Sequence, residues 1–259
     1  MAKKPVILTQ KGPVALIQLD QPERGNRVTL DMAWELRQIC QRLNVEGKAQ
    51  VVILTGAGES FCCGGEQLLD DGDSSSPPLG QKLESYRAAS SIGGLKIASI
   101  AAINGDALDQ GLELALACDL RIAAEGASLG FSNLSKGIIP WDGGTQRLPR
   151  IVGRSRALEL FLTGRLVQAE EARRIGLVNK VVPLEKLQDA AQEMASAISS
   201  GAPIAVQYIK EAVHKGADMT LEQGLNLEAD LSFILQSTND RREGVQAFLN
   251  KRKPKFSGE

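Results

Sequence analysis

Histidine is nearly missing from this chain, and His214 is the only one. A Ser-His-Asp triad, a Cys-His pair or a His-rich metal site would have to be built on that residue. His214 lies in PIAVQYIKEAVHKG, a helical pattern dominated by solvated charges, which reads as surface. Much of hydrolase and metalloenzyme chemistry is thereby disfavoured, and no metal site is expected. Cysteine is sparse too: Cys40, Cys62, Cys63 and Cys118 include no CxxC pair, so a disulfide framework is not expected. Cys62 and Cys63 have no His or basic residue beside them to generate a thiolate, and they read as small buried apolar residues. No sign of charge dominates. Lys and Arg number 30, Asp and Glu 31, so no global field favours nucleic acid or an anionic membrane. No apolar run approaches the ~20 residues of a membrane-spanning helix. The opening MAKKPVILTQ is too short in apolar residues for a signal peptide. The expectation is a soluble, cytoplasmic protein.

What the chain does have is strand–helix alternation. Val6–Gln10 and Val14–Asp20 read as a hairpin around Lys11–Gly12. Thr29 can cap a helix over Leu30–Leu43. Gln50–Thr55, Ile97–Ile103 and Leu120–Ala124 read as buried strands, with two more expected near Leu129–Phe131 and Val178–Val182. Helical patterns at Asp109–Ala117, Arg154–Phe161 and Gln168–Arg174 lie between them. The alternation predicts an α/β core with parallel strands. Asp70–Gly80, DDGDSSSPPLG, reads as a loop or a pocket wall. Beyond Val182 the pattern is nearly all helix: Leu184–Ser199, Pro203–Lys215, Leu221–Gln236 and Arg241–Lys251. This predicts a core over residues 1–183 and a helical oligomerisation region over 184–259.

Two Gly-rich turns, each after an apolar strand, carry the chemistry. The first is SFCCGGE, Ser60–Glu66; the second is AAINGDALDQGLELALACD, Ala101–Asp119. Gly64–Gly65 lets backbone approach a ligand closely. Asn104–Gly105 makes the second turn, and Asp109 is placed to cap the helix after it. A helix N-terminus offers unpaired N–H groups. Two such donors from separate turns can stabilise an enolate-like oxygen. Glu113 follows among Leu112, Leu114, Ala115, Leu116 and Ala117, with no Lys or Arg at helical spacing to pair it. A carboxylate so placed is desolvated and its pKa raised, which suits a general acid or base near neutrality.

These segments resemble the crotonase, or enoyl-CoA hydratase/isomerase, superfamily. SFCCGGE is similar to the family's first oxyanion turn and AAINGDALDQGLELALACDLRIA to its second turn and helix. GIIPWDGGTQRLPRIVG, LTGRLVQAEEARRIGLVNKVV and DRREGVQAFLNKRKPKF resemble later family segments, so the likeness spans essentially the whole chain. The resemblance implies a spiral of ββα units with a helical C-terminal trimerisation region. It also implies an acyl-CoA thioester substrate, no cofactor beyond that coenzyme A, and a homotrimer or dimer of trimers. By position it makes Gly65 and Gln110 the oxyanion N–H donors and Glu113 the first of the family hydratases' two catalytic glutamates. Backbone at Cys63 and Gly64 would lie near the CoA adenine. Arg24 stands near, but not at, the place of a basic residue that binds CoA phosphates. Lys251 matches a C-terminal lysine that reaches a neighbour's CoA.

Three departures mark this chain. The second glutamate's position holds Asn133, which cannot exchange a proton at neutral pH but can orient a water. The usual Gly-Gly-Gly is Asp109-Gln110-Gly111, so a side chain enters the oxyanion turn and a φ > 0 backbone there is strained. Small residues after Pro140 are replaced by Trp141–Asp142. Trp141 is either core packing or a wall shaping the acyl pocket for a flat group. Asp142 either replaces the missing carboxylate or caps the helix after it. The resulting expectation is a lyase that hydrates a conjugated enoyl-CoA or dienoyl-CoA, a cyclic dienoyl-CoA among them, through a thioester enolate. The alternatives are an isomerase, decarboxylase or C–C hydrolase on the same frame, or a catalytically degenerate acyl-CoA-binding subunit.

Overall fold

A computed structural model of the protein describes residues 4–66 and 78–259. Strands β1 (Val6–Lys11) and β2 (Val14–Leu19) form the expected hairpin. From β2 the sheet grows by parallel addition of β3 (Val51–Gly56), β4 (Ala98–Ile103), β6 (Leu120–Ala124) and β9 (Lys180–Val182). A second, small sheet joins β5 (Ala107–Leu108), β7 (Ser128–Gly130) and β8 (Val167–Gln168). Strand β3, VVILTG, is buried at every position, because helices cover both faces of the parallel sheet. Val52 and Leu54 face one apolar cluster, and Val51 and Ile53 the other.

The first face is covered by α1 (Leu30–Glu46), α3 (Ala89–Gly93) and α4 (Gln110–Ala117), whose buried side chains join one core. Helix α1 starts where Thr29 Oγ1 accepts the Met32 N–H at 3.1 Å and stops at Gly47, in the left-handed region at φ 64°. It buries Met32, Ala33, Leu36, Ile39, Cys40 and Leu43, one stripe at helical spacing. The second face is covered by α8 (Leu187–Ser199), through Leu187, Ala190, Ala191 and Ala195. The expected boundary at residue 184 therefore falls ahead of an element that belongs to the sheet's packing.

Helices α2 (Leu79–Ser85), α5 (Gly144–Val152), α6 (Arg154–Thr163) and α7 (Ala169–Arg174) complete the core region. Helices α9 (Pro203–Gly216), α10 (Leu221–Leu235) and α11 (Asn239–Leu249) follow α8. Lys210 of α9 fastens this array to the core: its Nζ donates to Ile97 O at 2.9 Å and to Asp119 Oδ2 at 2.8 Å. His214 Nε2 bonds Asp119 Oδ1 at 2.9 Å, so the one histidine serves this contact. Phe233 and Phe248 are 80% and 83% exposed, which leaves apolar faces of α10 and α11 without a partner in the single chain. Of the segment expected as a loop or pocket wall, residues 70–77 lie outside the described residues, and Leu79 and Gly80 open α2. Among the described residues, no helix is long and apolar enough to cross a membrane.

Candidate active site

The two Gly-rich turns meet because neighbouring strands deliver them side by side. The loop after β3 is held by two asparagines. Asn26 Nδ2 donates to Ala57 O and Ser60 O, each at 2.8 Å, and Asn104 Nδ2 to Gly58 O at 2.9 Å. Cys62 then pairs with Ala107 in a parallel bridge, and Leu108 N–H donates to Cys62 O at 2.9 Å. At Gly111 a Cβ would stand 1.9 Å from Cys62 O, so only glycine lets α4 start this close to the first turn.

The Gln110 side chain fills the space between the turns. Its Oε1 lies 2.1 Å from where a Cβ on Gly65 would be. Its Nε2 donates to Tyr86 O at 2.8 Å and stands 3.5 Å from Asp142 Oδ2. Among the described residues, the N–H groups of Gly65 and Gln110 donate to no protein acceptor. Gln110 is the first residue of α4, where an N–H has no intrahelical partner. The left-handed residue of the Asp-Gln-Gly turn is Asp109, at φ 48° and ψ −119°, not Gln110. Asp109 occupies the cap position, but its carboxylate does not cap α4. That expectation is corrected: the carboxylate turns to Ser132 and Lys136.

Glu113 is 1% exposed. Its Oε1 accepts the backbone N–H of Asp142 at 2.9 Å and of Gly144 at 2.7 Å. Burial pushes the carboxyl up to about 7, and the nearby Asp142 charge adds to this. The Gly144 and Asp142 N–H bonds and the Arg147 charge oppose it. Glu113 is therefore poised between its two protonation states at neutral pH.

Asp142 is also buried, and its carboxylate is fully engaged. Oδ2 accepts from Ala88 N–H at 2.8 Å and Ala89 N–H at 2.7 Å. Oδ1 accepts from Ser90 N–H at 3.2 Å and Ser90 Oγ–H at 2.9 Å. The expected replacement carboxylate is thus hydrogen-bonded to the start of α3. The capping alternative is corrected: α5 has Gly143 at its cap position and no side-chain cap, and the Asp142 carboxylate bonds the start of α3 instead. Asn133 is buried in the turn Asn133–Lys136, and its Oδ1 finds no hydrogen-bond partner among the described residues. Trp141 is half-buried and lines a cleft of about 220 Å³ with Arg87, Ser90, Pro140, Thr145, Gln146 and Arg147.

The structure brings Gly25, the neighbour of Arg24 in the chain, beside Cys63. Cys63 N–H donates to Gly25 O at 2.8 Å, and Cys63 Sγ is 3.0 Å from a Cβ position on Gly25. Lys251 stands just past α11, at φ 52°, in the C-terminal region. Burial pushes the Cys62 thiol up to about 12, so it holds no thiolate at neutral pH. Reading the sequence missed Ser132, Lys136, Tyr86 and the start of α3. All four act through tertiary contacts that carry no local spacing signal.

Turns that present unpaired N–H groups beside a desolvated carboxylate are the parts of an enzyme that moves protons next to a carbonyl. The comparisons with known proteins agree with this. The family model for enoyl-CoA hydratase/isomerase matches residues 9–259. YngF of Bacillus subtilis is 44% identical over 255 residues, 95% of each chain. (E)-benzylidenesuccinyl-CoA hydratase of Thauera aromatica is 39% identical, covering 98% of this chain and 99% of its own. The crystal structure of an enoyl-CoA hydratase from Bacillus anthracis superposes with a TM-score of 0.91 at 42% identity, over 98% of this chain and 100% of that one. The chain belongs to the enoyl-CoA hydratase/isomerase family of the crotonase superfamily. It has the crotonase fold and is an enoyl-CoA hydratase-like enzyme.

Proposed function

We propose that the protein adds water to a conjugated enoyl-CoA with Glu113 as its only proton carrier. The observation that carries this reading is the contrast between two buried carboxylates: Glu113 is held at about 7, while four donors occupy Asp142. The thioester oxygen sits between the N–H groups of Gly65 and Gln110. Glu113 keeps Oε1 on the Asp142 and Gly144 N–H groups, which leaves Oε2 for water. Oε2 takes one proton from water as the water oxygen bonds Cβ. The double-bond electrons move through Cα to the thioester oxygen, giving an enolate held by the two N–H groups. Glu113 then returns the proton to Cα, the carbonyl re-forms, and the carboxylate is restored. The unpartnered Asn133 Oδ1 accepts a hydrogen bond from the attacking water.

Arg24 and the backbone at Cys63 and Gly64 receive the coenzyme A. Lys251 reaches the coenzyme A of a neighbouring subunit in a homotrimer or dimer of trimers. The exposed apolar faces of α10 and α11 supply the contact. Trp141, in the lining of its cleft, favours flat acyl groups, cyclic dienoyl thioesters included. Ultraviolet absorbance of crotonyl-CoA and a cyclic dienoyl-CoA tests the reaction. Turnover abolished by Glu113→Gln supports it, and no turnover with either thioester overturns it. Light scattering on the eluting protein measures the assembly.

A further inference from the structure

We infer that Asp109, Ser132 and Lys136 form a positioning clamp that aims the Gln110 N–H and ties it to the segment carrying Asn133. This rests on the reading of Gln110 as an oxyanion donor. Asp109 adopts φ 48° and ψ −119°, a left-handed conformation that residues bearing a Cβ avoid. It directly precedes Gln110, so its backbone sets the direction in which the Gln110 N–H points. An aspartate left to itself would relax out of this geometry.

Five hydrogen bonds hold it there. Its C=O accepts Glu113 N–H at 3.1 Å, and its N–H donates to Gly130 O at 2.9 Å. Its Oδ1 accepts Ser132 N–H at 2.5 Å. Its Oδ2 accepts Ser132 Oγ–H at 2.7 Å and Lys136 Nζ at 2.8 Å. Three of the five use the side chain, so the side chain whose Cβ makes the backbone unfavourable also holds it in place. Charge-assisted bonds of this kind, with the carboxylate mostly buried, are among the stronger ones.

The clamp's second end is informative. Ser132 precedes Asn133, and Lys136 closes the same short turn, Asn133–Lys136. The Asp109 carboxylate therefore grips that turn at both ends, with Asn133 between the two anchor points. One side chain sets the oxyanion donor and the water-side amide relative to each other. A glycine at 109 would adopt the same φ without strain but would leave the Asn133 turn unheld from this side.

The test uses the full-length protein and a chromophoric aryl-acryloyl-CoA, whose absorbance moves to longer wavelength when its carbonyl oxygen accepts hydrogen bonds. The wild-type complex should show this red shift. Asp109→Ala keeps the strained position but loses the clamp. It should lose most of the shift, and kcat should fall about a hundredfold with KM nearly unchanged, the scale of losing one oxyanion donor. Asp109→Gly should recover the red shift, because glycine adopts this φ without strain. Lys136→Met, at a side chain that is 38% exposed, should weaken shift and kcat together. A red shift and kcat equal to wild type in both Asp109→Ala and Lys136→Met, whatever the melting temperature does, overturns the clamp. An equal loss in Asp109→Ala and Asp109→Gly overturns it too. A wild-type complex with no red shift overturns the oxyanion reading itself, and the clamp with it.

Discussion

Asp142 holds Glu113 with its backbone, not with its carboxylate. The Asp142 N–H donates to Glu113 Oε1 at 2.9 Å, while the Asp142 side chain bonds the start of α3 through Ala88, Ala89 and Ser90. Side chain and main chain of one residue thus join two parts of the site. The carboxylate anchors the loop to α3, and the anchored loop presents its N–H to Glu113. The cost is electrostatic: the Asp142 charge raises Glu113 further.

The two carboxylates should therefore fail differently when made neutral. Glu113→Gln keeps an oxygen for the Asp142 and Gly144 N–H groups, so the fold should survive. Its kcat should fall by about a thousandfold, as expected for loss of a general acid–base group. Asp142→Asn should retain most of kcat at saturating substrate but lower stability by about 2 kcal/mol, because α3 loses a charged cap. Thermal melts beside steady-state kinetics separate the two. A larger kcat loss from Asp142→Asn than from Glu113→Gln would reverse the assignment.

With one proton carrier, activity should follow one ionisation. Glu113 must be ionised to accept water's proton in hydration, and ionised again to take the Cα proton in dehydration. In both directions kcat/KM should rise with pH through about 7 and then level. A second group required in its protonated form would bend the profile into a bell. Stability runs the other way. Folding raises this carboxyl from 4.5 to about 7, so the folded state binds more protons between those values and loses stability as pH rises through them. Glu113→Gln should therefore be more stable than wild type at pH 8, by about 3 kcal/mol on this shift, with the difference vanishing below about pH 4.5. Urea unfolding at the two pH values measures it.

Lys210 carries a separate prediction about the C-terminal helices. Burial would raise Asp119, but the Lys210 charge and hydrogen bond, the His214 bond and the Ser99 N–H together hold it below its usual value. Its contribution to stability is thus present above pH 3.8 and is lost as pH falls through the lower folded value. Lys210→Met leaves a mostly buried carboxylate without its cation and should cost about 3 kcal/mol. A melting temperature equal to wild type at pH 7 would show that the Lys210 contacts do not hold α9 to the core.

Local rules made much of this architecture readable. Thr29 before LDMAWEL marked the start of α1, and the β-branched run QVVILT marked β3, because capping and burial leave signals at fixed spacing. Glu113 stood out because a carboxylate inside LELALA has no helical partner. The rest depended on distant residues. The five-residue α3 was not foreseen, since its start is satisfied by Asp142, more than fifty positions away. For the same reason Asp142 looked free in sequence: the donors that consume it lie in another segment. At Asp109-Gln110-Gly111 the expected strain exists, but it fell one residue earlier. The clamp that holds it, Ser132 and Lys136, comes from the next loop.

Gly65 and Gln110 are coupled by space, and a double variant should reveal it. A methyl on Gly65 would stand 2.1 Å from Gln110 Oε1 and 3.6 Å from Val28 O. The severe contact is thus the end of one side chain, while the nearest backbone atom lies at ordinary distance. Gly65→Ala alone must push the Gln110 amide off its bond to Tyr86 O or tilt the first turn away from α4. Where the turn tilts, an oxyanion donor is displaced, and kcat should fall by about a hundredfold. Removing the obstacle with Gln110→Gly should restore most of that loss, although each change alone lowers activity. The coupling should amount to about 1–3 kcal/mol in transition-state stabilisation, the range for residues in direct contact. Gln110→Gly alone should also open the floor between Gly65 and Tyr86, raising kcat/KM for bulky acyl groups relative to crotonyl-CoA. Additive losses in Gly65→Ala and Gln110→Gly would mean that the two residues act independently and that the Gln110 amide does not lie between them when substrate binds.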